Sequence, residues 1–312
     1  MKFCNKCNAE NKDSAKFCDQ CGTKFEQLCS CPKEGCEYFN KYLLPADSKF
    51  CPSCGTCLKE QCVSILKIYI TSDEPIELSF GDSYHDDYMA TIQLEKGCNT
   101  FDSTFYPFLT EVPFKIADYD TEYISQIDLS HYDTRNFKRM NCMFADCKNV
   151  ESLDVTNFST KNVENMYSMF ENCERIVTLN LSSFDTSKVK YMHRMFQGCR
   201  KLKTLNLSSY RTTNVIDMMC MFADCYMIES LDLSMFDVSN VRDFELMFCD
   251  CERMYQLNLS NWHMKDDAST RDMFNGCDRL QKIIIKNSDW KTVELIKQEI
   301  YKADIHPKVI IN

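Results

Sequence analysis

Cys4 and Cys7 are separated by two residues, and ten residues further on Cys18 and Cys21 repeat the spacing. Each C-x2-C pair places two thiolates on one side of a metal, and the intervening loop brings the pairs together, which suits tetrahedral Zn²⁺. A second set follows as Cys31-x4-Cys36, fourteen residues, then Cys51-x2-Cys54. Its ending repeats the first almost letter for letter, since Asp13-Ser14-Ala15-Lys16-Phe17-Cys18 aligns with Asp47-Ser48-Lys49-Phe50-Cys51, and Cys21-Gly22-Thr23 with Cys54-Gly55-Thr56. The duplication favours Cys51 with Cys54 over Cys54 with Cys57. Cys29, Cys57 and Cys62 are left over, and Cys29 remains an alternative to Cys31. Four cysteines per site, with no His, Asp or Glu at ligand spacing, describe closed sites that leave no position for a substrate or an activated water. Two structural Zn²⁺ ions are therefore expected, each replacing a core too small to fold alone.

Both stretches resemble the small zinc-ribbon domains found at the N-terminus of many bacterial proteins, with the Phe-Cys-x-x-Cys-Gly knuckle at Phe17–Gly22 and Phe50–Gly55. This divides the start of the chain into one ribbon over 1–25 and a second over 26–62.

From Ile124 the chain repeats every 26 residues without insertions. Repeats begin at Ile124, Val150, Ile176, Leu202, Ile228 and Met254, with a partial seventh from Leu280. Apolar residues at positions 1, 4 and 6, such as Ile176, Leu179 and Leu181, spell L-x-x-L-x-L, a leucine-rich-repeat strand. Such a unit cannot bury its face alone and must stack on its neighbours. Later in each repeat come Val, Met and Met-Phe, as in Val163, Met166, Met169 and Phe170. Offsets of 0, 3, 6 and 7 predict an α-helical or 3₁₀ segment. Each unit closes on a cysteine, from Cys147 through Cys173, Cys199, Cys225 and Cys251 to Cys277. Ligands would be clustered rather than spaced by 26, so these are expected to be reduced core thiols.

This pattern resembles the BspA-type leucine-rich repeat family, and Ile176–Lys201, reading IVTLNLSSFDTSKVKYMHRMFQGCRK, follows it nearly throughout. The resemblance spans 124–279 and implies an α/β solenoid and a role in adhesion or protein binding. The chain departs from that family in lacking a recognisable signal peptide and in carrying zinc ribbons. Position 9 differs from common leucine-rich repeats, with Tyr132, Phe158, Phe184, Tyr210, Phe236 and Trp262 where those have Asn. Residues 63–123, with alternating stretches at Ile65–Ile70 and Ile76–Phe80, read as an acidic β-rich N-terminal cap. Residues 280–312 read as a C-terminal cap, with an amphipathic helix over 288–303 and a strand over 308–311.

Composition narrows the function classes. The net charge of −10 is concentrated in residues 63–123, where three Lys face twelve acidic residues, while residues 1–62 carry nine Lys and eight acidic residues. No segment is basic enough for a phosphate-backbone binder, so nucleic acid is an unlikely partner. No apolar run reaches the roughly 18 residues of a membrane span, and no signal peptide is seen, which points to a cytoplasmic protein. P-loop, G-x-S-x-G and H-E-x-x-H motifs are missing, and His85, His131, His193, His263 and His306 are scattered, so no catalytic residues are assigned. The expected function is a non-catalytic, monomeric scaffold that binds a protein or glycan partner. The alternatives are a nucleic-acid-associated zinc-ribbon protein and a surface adhesin exported without a recognisable signal. The exposed strand columns run Gln126, Ser152, Thr178, Thr204, Ser230, Gln256 and Asp128, Asp154, Asn180, Asn206, Asp232, Asn258, while variable positions such as Lys190, Tyr191, His193 and Arg194 are better placed for specific contacts.

Metal analysis of the full-length protein should find close to two zinc ions, and Cys18→Ser should remove one of them. A single ion in the intact protein would show the second site to be misread.

Overall fold

The computed structural model describes residues 2–3, 10–11, 65–73, 76–82, 87–102, 114–116 and 121–311. The chain divides into Met1–Val63 and Ser64–Asn312. In the first unit, β1 (Lys2–Phe3) and β2 (Glu10–Asn11) pair antiparallel, Phe3 opposite Glu10.

The second unit begins with β3 (Ile65–Ile70), β4 (Ile76–Asp82), β5 (Asp87–Leu94), β6 (Gly97–Asp102) and β7 (Phe114–Ile116). β3 alternates, with Leu66, Ile68 and Ile70 buried on one face. It lies between β6 and β8 (Ile124–His131), antiparallel to both, with Ile68 opposite Ile127. β4 pairs antiparallel with β5 and β7. β8 is also the first strand of the repeats, so β3 runs along the edge of the first coil.

Beyond β8 the chain is a stack of 26-residue coils with short strands: β9 (Thr178–Leu179), β10 (Thr204–Leu205), β11 (Ser230–Asp232), β12 (Gln256–Asn258), β13 (Lys282–Ile284) and β14 (Lys308–Ile310). β9 pairs with β10, and β11 through β14 form one parallel sheet. Every register joins residues 26 apart, such as Leu231 to Leu257 and Ile283 to Val309. This is a repeat-type fold, rich in short strands and poor in helix.

The expected helical or 3₁₀ segment in each repeat is not formed. In coil 2, Met169 N–H donates to Met166 C=O, Glu171 to Ser168 and Cys173 to Phe170, a chain of overlapping turns. The first and third turns hold a left-handed residue at their third place, Ser168 at φ 52° and Asn172 at φ 54°, as type II turns require. The same two places are left-handed in all six coils: Cys142 and Asp146, Arg194 and Gly198, Cys220 and Asp224, Leu246 and Asp250, Asp272 and Gly276. Each reversal of hand swings peptide groups along the stack axis, where an i→i−4 helical bond is out of reach. The N–H groups of Met166, Ser168, Phe170 and Asn172 donate instead to the carbonyls of Tyr191, His193, Met195 and Gln197 in the next coil. Four such bonds recur at each of the five junctions between the six coils.

The only α-helix among the described residues is α1 (Trp290–Lys302). It occupies the equivalent stretch of the seventh coil. There Val293, Ile296, Ile300 and Ala303 take the places held elsewhere by Val, Met, Phe and Cys, and Asp289 caps the helix by accepting from Thr292 N–H. Lys302 stands where the coils carry Asp, Asn or Gly, residues that tolerate a left-handed backbone.

Inside the stack, equivalent side chains lie over one another. Phe144, Phe170, Phe196, Phe222, Phe248 and Phe274 stack at centroid separations of 5.5–5.8 Å. The position-9 aromatics form a second buried column, with Phe158 6.5 Å from Phe184 and Tyr210 6.3 Å from Phe236. A third column is polar. Thr160 Oγ1 donates to Asp185 C=O and accepts from Asp185 N–H, and Thr134 and Thr186 do the same one coil away.

Phe196 is fully buried between Phe170 and Phe222, each 5.7 Å away. Phe196→Ala should cost about 3–5 kcal/mol and strongly lower the unfolding transition. Asn180 is exposed and accepts only from Ser182, so Asn180→Ala should cost about 1 kcal/mol. Urea unfolding that gave equal losses would mean the inward and outward faces are reversed.

Candidate metal centre and binding surface

Cys4, Cys7, Cys18, Cys21, Cys31, Cys36, Cys51 and Cys54 lie outside the described residues. β1 and β2 pair Phe3 with Glu10, and Cys4 and Cys7 fall between those residues in the sequence. A donor set of four thiolates fits tetrahedral Zn²⁺. Among the described residues, no group of three or more His, Cys, Asp or Glu side chains is placed to hold a metal ion.

The ladder cysteines contribute differently. Cys173 Sγ donates to Phe144 C=O at 3.2 Å, and Cys199, Cys225, Cys251 and Cys277 repeat the bond to Phe170, Phe196, Phe222 and Phe248. All are free thiols and buried. Burial pushes Cys199 and Cys277 up to about 12, and raises Cys173, Cys225 and Cys251 well above the ordinary thiol range. Such thiols are poor nucleophiles and poor ligands.

The two exposed faces of the stack differ in how their side chains are used. On the strand face, position 5 is occupied by its own turn. Asp154 Oδ1 accepts from Thr156 Oγ1 and N–H, Asn180 from Ser182, Asn206 from Ser208, Asp232 from Ser234 and Asn258 from Ser260. The Ser130 hydroxyl and N–H, with Lys67 beyond them, hold Asp128 down to about 2. This regularity serves the backbone and leaves little for a ligand.

The turn face varies from coil to coil. Tyr167 stacks on His193 at 4.6 Å, and Tyr191 meets the same ring edge-on at 6.5 Å. His193 Nδ1 lies 3.1 Å from Asp217 Oδ2, Lys190 pairs with Glu164 at 2.9 Å, and Arg194 is exposed on a left-handed backbone. Tyr191 and Ile216 are both exposed, in adjacent coils, with Ile216 N–H bonded to the carbonyl of Lys190. Beyond them Asp217, Asp243 and Glu245 form an acidic margin, and Asp243 is raised by burial and by its two acidic neighbours. Of the variable residues singled out in the sequence, the fold thus brings Lys190, Tyr191, His193 and Arg194 to one face.

Two features escaped the sequence pattern. The threonine column at Thr134, Thr160, Thr186 and Thr212 was visible as a 26-residue period, and its role appears only once its hydroxyls meet the next coil. The left-handed column at Asp146, Asn172, Gly198, Asp224, Asp250 and Gly276 consists wholly of Asp, Asn and Gly, a turn signal inside what reads as a helical period. At Gly198 an added Cβ would press on the side-chain oxygen of Asn172, its neighbour in the column, while the left-handed backbone itself is borne by Asp or Asn in four of the other coils.

A stack of coils with buried ladders, following a short cysteine-rich segment, defines a repeat protein with an N-terminal zinc ribbon. Residues 3–25 match the zinc-ribbon domain, and residues 119–178 and 175–290 match the family described as Mycoplasma protein of unknown function, DUF285. The chain belongs to that family. No curated protein and no solved structure shows significant similarity to it. Among the described residues, no helix is long and apolar enough to cross a membrane.

Among residues 65–311, a thiol reagent should modify exposed Cys98 first, and Cys173, Cys199, Cys225, Cys251 and Cys277 only on unfolding. Raising the pH to about 9 should not hasten the ladder thiols, because burial lifts them above the ordinary range. Mass spectrometry showing disulfides between adjacent coils would overturn this reading.

Proposed function

We propose that the coils form a leucine-rich-repeat solenoid of the BspA type, and that the protein is a non-catalytic scaffold binding a protein partner through the turn face of coils 2–4. The observation that carries this reading is the group of Tyr167, Tyr191, His193, Arg194 and Ile216 on that face. Aromatic and arginine side chains on a rigid backbone are the usual anchors of a protein interface. The strand face supports the same reading by contrast, because its Asp and Asn columns are engaged in their own turns.

Two structural Zn²⁺ ions complete the proposal, one held by Cys4, Cys7, Cys18 and Cys21, the other by Cys31, Cys36, Cys51 and Cys54. The internal duplication supports the second. The metal would supply folding energy to a segment without a large core. Free, buried thiols at Cys147 through Cys277 support a reducing compartment, which the cytoplasm provides.

Affinity capture from the native host with the full-length protein, alongside Tyr191→Ala/Arg194→Glu, tests the surface. Recovery of the partner should fall at least about tenfold with the double variant and stay unchanged with Thr204→Ala on the strand face. Loss with Thr204→Ala alone would move the site to the strand face.

A further inference from the structure

Trp290 and Tyr301 are the most exposed large hydrophobic side chains among the described residues, at 74% and 87%, and both lie on α1. The inner face of that helix is accounted for, with Val293, Ile296 and Ile300 packed on the core and Glu299 Oε1 accepting from Thr270 Oγ1. Its outer face carries Trp290, Glu294, Lys297 and Tyr301 in steps of four, three and four, the spacing of one coiled-coil seam. Neighbouring charges are committed within the chain: Lys291 pairs with Asp266, and Lys302 with Glu299. Glu294 and Lys297 have no ion pair among the described residues.

We infer that α1 is the contact surface of a two-fold dimer, with the same helix of a second copy as its occupant. An isologous interface pairs residue i with j and j with i. A two-fold axis crossing α1 between Leu295 and Ile296 runs the helices antiparallel and sets Trp290 against Tyr301 of the second copy, and Glu294 against Lys297. Each pair is made twice. The stripe is self-complementary in this direction alone, since a parallel pairing would put Glu294 beside Glu294 and Lys297 beside Lys297. The aromatic ends supply the apolar burial, and the central charges set orientation and partner choice.

Thirteen residues span about 20 Å, so the pair buries less than about 1,200 Å² and belongs with weak, concentration-dependent associations. This differs from the monomer expected from the sequence, and it does not depend on the turn-face reading. It would make any scaffold bivalent, raising its avidity for a repeated or membrane-arrayed partner.

Sedimentation of the zinc-loaded full-length protein over about three decades of concentration tests the inference. The weight-average mass should climb from 36.6 kDa toward twice that value. Trp290→Ala and Tyr301→Ala should each weaken association at least about tenfold. Glu294→Lys and Lys297→Glu should each weaken it too, whereas the two together should restore it to within about twofold, because both ion pairs re-form with their signs exchanged. A monomer at every concentration, a dimer indifferent to all four changes, or a double reversal that fails to restore association would each overturn it.

Discussion

Alternate peptide groups on the turn side of each coil point along the stack, and most of the architecture depends on this. A helix would satisfy those groups within the coil. Here two left-handed residues per coil, such as Ser168 and Asn172, send the N–H groups of Met166, Ser168, Phe170 and Asn172 into the next coil. Unpaired backbone groups are costly once buried, so the register between coils is set wherever this ladder runs. The ladder is continuous across the six coils, while the strand side pairs only in segments, β9 with β10 and β11 through β14.

Once the register is set, identical side chains stack on one another. A phenylalanine column, a threonine column and a cysteine column then follow from a single repeated sequence, each serving its neighbour one coil away. Phe170 is held by Phe144 and Phe196, while its carbonyl accepts from Cys199 Sγ. Stability in such a stack is a sum of nearest-neighbour terms, and no contact need reach beyond the adjacent coil. Outward side chains of the turn face are thereby freed from folding duty. This is why Tyr167, Tyr191 and His193 can gather on one stretch of the face while the acidic residues gather on the next.

The seventh coil marks the limit of the rule. Its apolar residues keep the inward places, yet the segment is helical, with Asp289 as N-cap and no left-handed residue between Trp290 and Lys302. A helix bonds to itself, so it ends the turn-side ladder while still burying Val293, Ile296 and Ile300. Its outer stripe is left facing solvent with Trp290 and Tyr301, a different surface from that of the turns.

The sequence by itself determined the period, its inward residues and the ribbon spacing. These are one-dimensional facts: a 26-residue step carries Leu179 onto Leu205 once equivalent positions stack, and C-x2-C pairs declare their ligand geometry locally. It did not determine whether the Val, Met and Met-Phe segment is a helix or a run of turns, because offsets of 0, 3, 6 and 7 bury the same residues either way. The Asp, Asn and Gly column at Asp146 through Gly276 held the answer, but a left-handed residue is profitable only when a neighbouring coil can accept the redirected N–H groups. Tertiary structure alone decided how the threonine column is engaged, because Thr160 Oγ1 meets the backbone of Asp185 only when the next coil is in place. Asp154 and Asn180, by contrast, are held locally, by Thr156 and Ser182 two residues on. Contacts between residues 25 or 26 apart depend on the stacking distance and hand of the coils, and those are properties of the assembled backbone rather than of any one repeat.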